Sequence, residues 1–304
     1  MATWKSFING LASAGALAGT ERIGLIKDPT GTPLSRYATP DTIATRVAAK
    51  LGLREVLTAN RTYYVSTTGS DSNDGLSAGA PLATLVKAVD LCYSIDPNGY
   101  VVTIQLADGN YTAGVAVNRP LVGGGALYIT GNVADPSAVT ITTPSDVIAL
   151  YNGTRVEAKG LKLKCSGTRS CFFVRQMSTL YLGNIIFDEA LTTAHINAAQ
   201  GSLVNPVADY EIVGGAAYHL IFDNNAFFDS SSKTYTLTGT PNFSGAFAWF
   251  NGGSTYSRYA TTWSGAATGK RYNVTYNAVL RGGSATDLPG DVAGTTATGG
   301  QYGY

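Results

Sequence analysis

Four sets of apolar residues recur along this chain at a shared spacing of 24 residues, and that spacing constrains the fold more than any other feature. Ile148, Phe172, Ile196 and Leu220 form one set, and Leu150, Val174, Ala198 and Phe222 a second. Val156, Leu180, Val204 and Phe228 form a third, while Leu161, Ile185, Tyr210 and Tyr235 keep step to within one residue. Apolar columns with one period describe a coil of three strands repeated rung on rung. Each rung adds the interstrand spacing of about 4.8 Å, and no rung can bury its inner face without a neighbour. The expectation is an all-β chain, a right-handed parallel β-helix with three-strand rungs of about 24 residues. A β-sandwich is the alternative, since short strands at regular spacing also suit it.

Three zones follow from this pattern. Residues 1–60 hold a short amphipathic start (Trp4, Phe7, Ile8, Leu11), a hairpin signal at Ile23, Leu25 and the following DPTG turn, and a helix opening at Thr39-Pro40-Asp41. So small an α/β segment buries little apolar surface and would be ordered by a partner, as an attachment segment is; the alternative is a disordered leader. Residues 61–245 are the β-helix. They begin with a strand at Tyr63–Ser66, a Gly/Asp/Asn turn and a helix over 81–93, whose Leu82, Leu85, Val86 and Val89 fall at helical spacing. That helix is placed to cap the open N-terminal end of the coils. Strands are expected at Val102–Leu106, Val115–Val117, Leu127–Ile129 and Val139–Ile141.

Past Phe243 the pattern loosens. Residues 246–304 hold an aromatic and Gly-rich stretch, one strand over Arg271–Leu280 and a Gly/Thr tail. A tail with so few apolar residues makes no core of its own, so neighbouring chains would order it, or it would stay disordered.

Charge excludes some partners. Only 13 % of the 304 residues are charged and the formal net charge is +1, so no electrostatic footprint for nucleic acid or an anionic membrane is present. No stretch approaches the roughly 18 apolar residues of a membrane span, and the N-terminus lacks the basic start and apolar run of a signal peptide. The chain is expected to be made in the cytoplasm without membrane insertion. Three cysteines give an odd count and no disulfide framework.

Two stretches resemble phage tail proteins. YYVSTTGSDSNDGLSAGAPLATLVKAVD is similar to the entry of the pectate-lyase-like β-helices of tailspikes and tail fibres, a pattern that bacterial carbohydrate-active enzymes also carry. RYNVTYNAVLRGGSATDLPGDVAGTTATGGQYGY is similar to the terminal segment of tail fibre proteins, and GTERIGLI with TPDTIATRVAA looks like a virion-attachment segment. The resemblance covers both ends and the β-helix entry. It implies a homotrimeric virion appendage, anchored to a tail or head protein through residues 1–60, that binds a host surface glycan. Some members cleave glycans, so a polysaccharide depolymerase is the alternative.

Candidate sites are few. Glycoside hydrolysis needs two carboxylates roughly 5–10 Å apart, and Asp223 with Asp229, on one rung, is the best pair in the coils. Solvated turns explain the same residues equally well. Trp249, Tyr256, Tyr259 and Trp263, with Phe247 and Phe250, could stack on sugar rings or fill a cap or trimer core. Cys171, His195 and His219 are each 24 residues apart, one residue before the inward column, so strand alternation turns them outward as a polar ladder or, less simply, a transition-metal site. The Asp71-Ser72-Asn73-Asp74-Gly75 run lacks the distal Glu of an EF-hand, Leu82 standing there, and reads as a turn. No cofactor motif is present.

Overall fold

The computed structural model describes residues 54–303, save 283 and 285, together with two short strands nearer the N-terminus. The chain divides into two compact units, Met1–Glu55 and Val56–Tyr304. In the first, Ile23–Leu25 pairs antiparallel with Arg36–Ala38, with Gly24 opposite Tyr37, which is the expected hairpin. The expected helix after Thr39 and the Trp4–Leu11 face lie outside the described residues.

The second unit is a parallel β-solenoid of about eight stacked coils. Every strand pair from Arg61–Val65 through Gln301–Tyr302 in its large sheet is parallel. The columns read from the sequence are its register: Ile148 pairs with Phe172, Phe172 with Ile196, and Ile196 with Leu220. Val156, Leu180, Val204 and Phe228 follow in the same way, and all four are fully buried. Each rung therefore covers the apolar inner face of the one before, which no single rung could do.

One corner repeats a device that the apolar columns do not show. Two successive residues with positive φ stand at Asn152-Gly153, Gln176-Met177, Gln200-Gly201, Asn224-Asn225, Gly252-Gly253, Tyr276-Asn277 and Thr298-Gly299. Bonds such as Ser254 N–H to Asn251 O (3.1 Å) close these corners in the manner of type I′ turns. The turns also bond to one another, Gly153 N–H donating to Gln176 O (2.8 Å) and Met177 N–H to Gln200 O (2.9 Å). Behind the first six of these turns a small buried residue fills the corner: Thr154, Ser178, Ser202, Ala226, Ser254 and Ala278.

Four expectations need correction. The helix is Leu85–Tyr93, shorter than 81–93, because Leu82 bridges to Val65 and is fully buried. Thr84 caps it by accepting from Lys87 N–H, and Asp71 accepts from the backbone N–H of Ala83 and Thr84 and from the Thr84 hydroxyl. The acidic turn thus anchors the helix start. Leu85, Ala88, Val89 and Cys92 join the core beside the first strands.

The boundary at 245 is also absent. Asn242–Phe250 is a single strand across it, pairing back to Ala216–Asp223 and forward to Tyr272–Val274. The spacing was hidden because this rung is longer, with partners 28 residues apart, and the extra residues sit largely around the Gly239-Thr240 loop. The expected strand Arg271–Leu280 is two strands, Tyr272–Val274 and Val279–Leu280, separated by the corner turn at Tyr276-Asn277. The tail adds a further partial rung on its own chain, Val274 pairing with Thr296 and Leu280 with Tyr302. Tyr302 stacks on Tyr272 at 4.1 Å, and Leu288 is 2 % exposed. Among the described residues no helix is long and apolar enough to cross a membrane.

Candidate functional site

Asp223 and Asp229 stand on either side of the Asn224-Asn225 corner and belong to separate networks. Asp223 accepts from Asn224 N–H and from the side-chain amides of Asn224 and Asn251. Asp229 accepts from Ser231 Oγ–H at 3.1 Å and lies 3.5 Å from Asn205 Nδ2. Their bonds pin turn and ladder residues, and no contact joins the two carboxylates.

The aromatic cluster is split by the pleat. Tyr256 continues the inward column after Phe228 and is fully buried, with ring centroids 5.3 Å apart, so of the two readings it takes the core one and cannot serve as a glycan-binding ring. Phe247 and Phe250 are buried as well, and Trp263 packs against Tyr235 and Phe247 at 4.7 and 4.8 Å. Trp263 therefore completes the core more than it offers a platform. Trp249 and Tyr259 face outward, Tyr259 being 74 % exposed.

Cys171, His195 and His219 are all fully buried, against the expected outward ladder. Alternation fails here because the chain bends into a corner, where Ala194, His195 and Ile196 are successively buried and the pairing register shifts. His195 Nδ1 lies 3.0 Å from His219 Nδ1, His195 Nε2 lies 2.8 Å from Asp188 O, and His219 Nε2 lies 2.8 Å from the Tyr210 hydroxyl. A carbonyl only accepts, so His195, kept neutral by burial, carries its one proton on Nε2 and accepts at Nδ1. His219 must then donate from Nδ1 and accept from Tyr210 at Nε2. Every ring nitrogen is used, and none is left for a metal. The Cys171 thiol donates instead to Leu163 O at 3.7 Å. Among the described residues no group of three His, Cys, Asp or Glu is arranged to hold a metal ion.

The outward face that these columns imply carries a different constellation. Ala149, Phe173, Asn197, Ile221, Trp249 and Asn273 occupy one outward column on successive rungs. The Arg175 guanidinium lies 3.8 Å over the Phe173 ring and donates to Asn197 O and Oδ1, which holds it flat along the face. Tyr151 meets Phe173 at 5.9 Å, and Tyr218 meets Trp249 at 5.6 Å.

Beside this column an open groove of about 480 Å³ runs between Thr112–Ala116 and Thr143–Asp146, with Ala149 and Tyr151 also lining it. Burial pushes the Asp146 carboxyl up, against a bond from Ser170 N–H and the charges of Arg169 and Arg175. Phe173, Arg175 and Asp146 escaped the sequence reading. The available signal was the column itself, since along a straight strand a position one residue beyond an inward one turns away from the core, although Ala149 and Asn197 are themselves buried.

Comparison with known proteins adds little. No family model matches the chain, and no curated protein matches it. Among solved structures it is similar to a rhamnogalacturonan lyase, at 14 % identity and a TM-score of 0.29. That match covers 80 % of this chain and 62 % of the other, so the chain spans less than two thirds of the length of that lyase. The β-solenoid assignment stands on the strand register described above.

Proposed function

We propose that this chain is the rigid adhesive section of a virion appendage, a tail or head fibre or spike, that binds host surface glycan along the outward Phe173–Trp249 column. The observation that carries the adhesive reading is the geometry of that face. Phe173 and Trp249 stand three rungs apart on it, about 14 Å at the interstrand spacing, a distance that a few pyranose units of an extended glycan span. Aromatic faces take the apolar side of a sugar, while the half-buried Asn251, Asn273 and Asp223 offer donors and acceptors to its hydroxyls. The virion assignment rests on the likeness of both chain ends to tail proteins. A homotrimer would multiply weak contacts into firm attachment by raising effective concentration.

The test measures solution mass by light scattering, then adsorption of the purified protein to host envelope polysaccharide. A mass near three times 31.6 kDa and adsorption lost in Trp249→Ala are expected. A monomer that adsorbs no glycan overturns the reading. The depolymerase alternative is favoured by one observation, the raised Asp146 carboxyl in its groove beside Arg175 and Tyr151. Shortening of the polysaccharide during incubation, abolished in Asp146→Asn, would select it.

A further inference from the structure

Across the Asn152-Gly153 turn from the Phe173–Trp249 column lies a second groove with different chemistry. Arg119, Gly124, Gly125, Leu127, Gly153 and Arg155 line a pocket of about 180 Å³. It shares Leu127 and Arg155 with an adjoining groove of about 230 Å³ lined by Tyr128, Glu157, Tyr181 and Val207.

Each cation along this path rests on a ring. Arg119 lies 4.4 Å over Tyr93, Arg155 4.9 Å over Tyr181, and Lys159 5.0 Å over Tyr128. Tyr93 is itself fixed, its hydroxyl accepting from Asn118 N–H at 2.8 Å. Lys159 is ion-paired to Glu157 at 3.1 Å, which accounts for the only carboxylate lining the two grooves. Neither Arg119 nor Arg155 has an ion pair or a side-chain hydrogen bond among the described residues. Two guanidinium groups are thus held in place by stacking and converge on one pocket with their donors unspent, in a chain whose overall charge is near zero.

We infer that Arg119 and Arg155 form a subsite for one oxyanion substituent carried by a glycan, with the sugar backbone lying along Tyr181 and Tyr128. This rests on the glycan-adhesion reading and adds the class of ligand, an acidic glycan. Planar guanidinium forks match a carboxylate or sulfate in two-point contact, and a ring stacked on one face leaves the in-plane N–H groups pointing outward. The two arginines line the first pocket, where the substituent would sit, and Tyr128 and Tyr181 line the adjoining groove, where the sugar would rest.

The test uses the full chain and two probes of one backbone, a glucuronate-bearing oligosaccharide and its methyl ester, with free sulfate and phosphate as third and fourth. The acidic oligosaccharide should bind about tenfold or more tightly than the ester, with affinity falling as salt rises. Arg119→Gln and Arg155→Gln should each remove most of that preference, and Arg155→Lys should restore it only in part. Equal binding of acid and ester, or unchanged preference in both Arg variants, overturns the subsite. Inorganic anions binding as tightly as the oligosaccharide overturn its assignment to a glycan. If both oligosaccharides bind equally and Trp249→Ala abolishes that binding, adhesion stands and this inference fails. If neither binds, this inference fails, and polysaccharide adsorption reports separately on the broader reading.

Discussion

His195 Nδ1 and His219 Nδ1 face one another at 3.0 Å inside the solenoid, stacked from adjacent rungs and closed in by aromatic rings. Phe187, Tyr210, Phe243, Phe247 and Trp263 surround the pair, and the only ionisable side chain close enough to oppose the effect of burial on His195 is Asp188. Such a contact requires one ring to donate and the other to accept, so at most one ring could be charged, and burial keeps both neutral. Burial lowers His195 to about 4 and holds His219 well below its ordinary value of 6.5, with the neighbouring ring adding to the effect.

The sign of the resulting pH dependence follows. Between pH 6.5 and about 4 the unfolded chain binds protons that the folded one refuses. Stability is therefore complete above pH 6.5 and falls as the pH drops through that window, by up to about 1.4 kcal/mol per pH unit for each histidine. Urea unfolding midpoints at pH 7.5, 6, 5 and 4.5 would show the decline. A flat profile would mean that the pair is not buried as described.

Val204 lies in the inward column between Leu180 and Phe228 and is fully buried. Val204→Asp places a carboxylate where no donor waits, a change of several kcal/mol for a charge without a partner. We expect no soluble folded protein, as judged by circular dichroism and gel filtration. A native-like variant would refute the register.

Trp249 and Tyr256 separate surface from core within one aromatic run. Trp249→Ala should leave the unfolding midpoint nearly unchanged while weakening adsorption to glycan. Tyr256→Ala empties a fully buried site packed by Phe228 and Phe250 and should cost about 3–5 kcal/mol. Similar stability losses in both variants would contradict the placement of Trp249.

The corner turns supply a fourth test. Met177 sits at φ 58°, 75 % exposed, in a conformation that costs an L-residue about 1 kcal/mol or more. Met177→Gly should raise stability by up to about 1 kcal/mol. Gly201→Ala, at φ 71° in the next turn, should lower it by about the same amount, since the new Cβ meets only Met177 Cγ at 3.4 Å and the backbone dihedral is the main penalty. Chemical denaturation of both variants checks the pair.

Much of the fold was legible because a solenoid writes its register into the sequence. Ile148, Phe172, Ile196 and Leu220 must recur at one interval, since each covers the next. The fit faded past Phe228 for a physical reason: a loop lengthened one rung to 28 residues without altering the strands, and the tail rung is shorter, with partners 22 residues apart. The Asn152-Gly153 turn has a recognisable sequence, whereas Gln176-Met177 and Tyr276-Asn277 adopt the same geometry only because their stacked neighbours hold it.

The sequence by itself determined the parallel coils, the inward columns and the presence of a helix between the first strand and the coils. Tertiary structure alone decided what happens at the corners and between rungs. Alternation places a side chain in or out only along a straight strand, and at the bend before Ile196 it placed two consecutive residues inside, turning an expected outward ladder into a buried histidine pair. The stacking of Arg119 on Tyr93 and of Arg155 on Tyr181 joins residues 24 or more positions apart through rotamers and loop paths that no periodicity encodes. A repeat specifies which backbone lies over which; the chemistry of the faces is set by how individual side chains settle across the rungs.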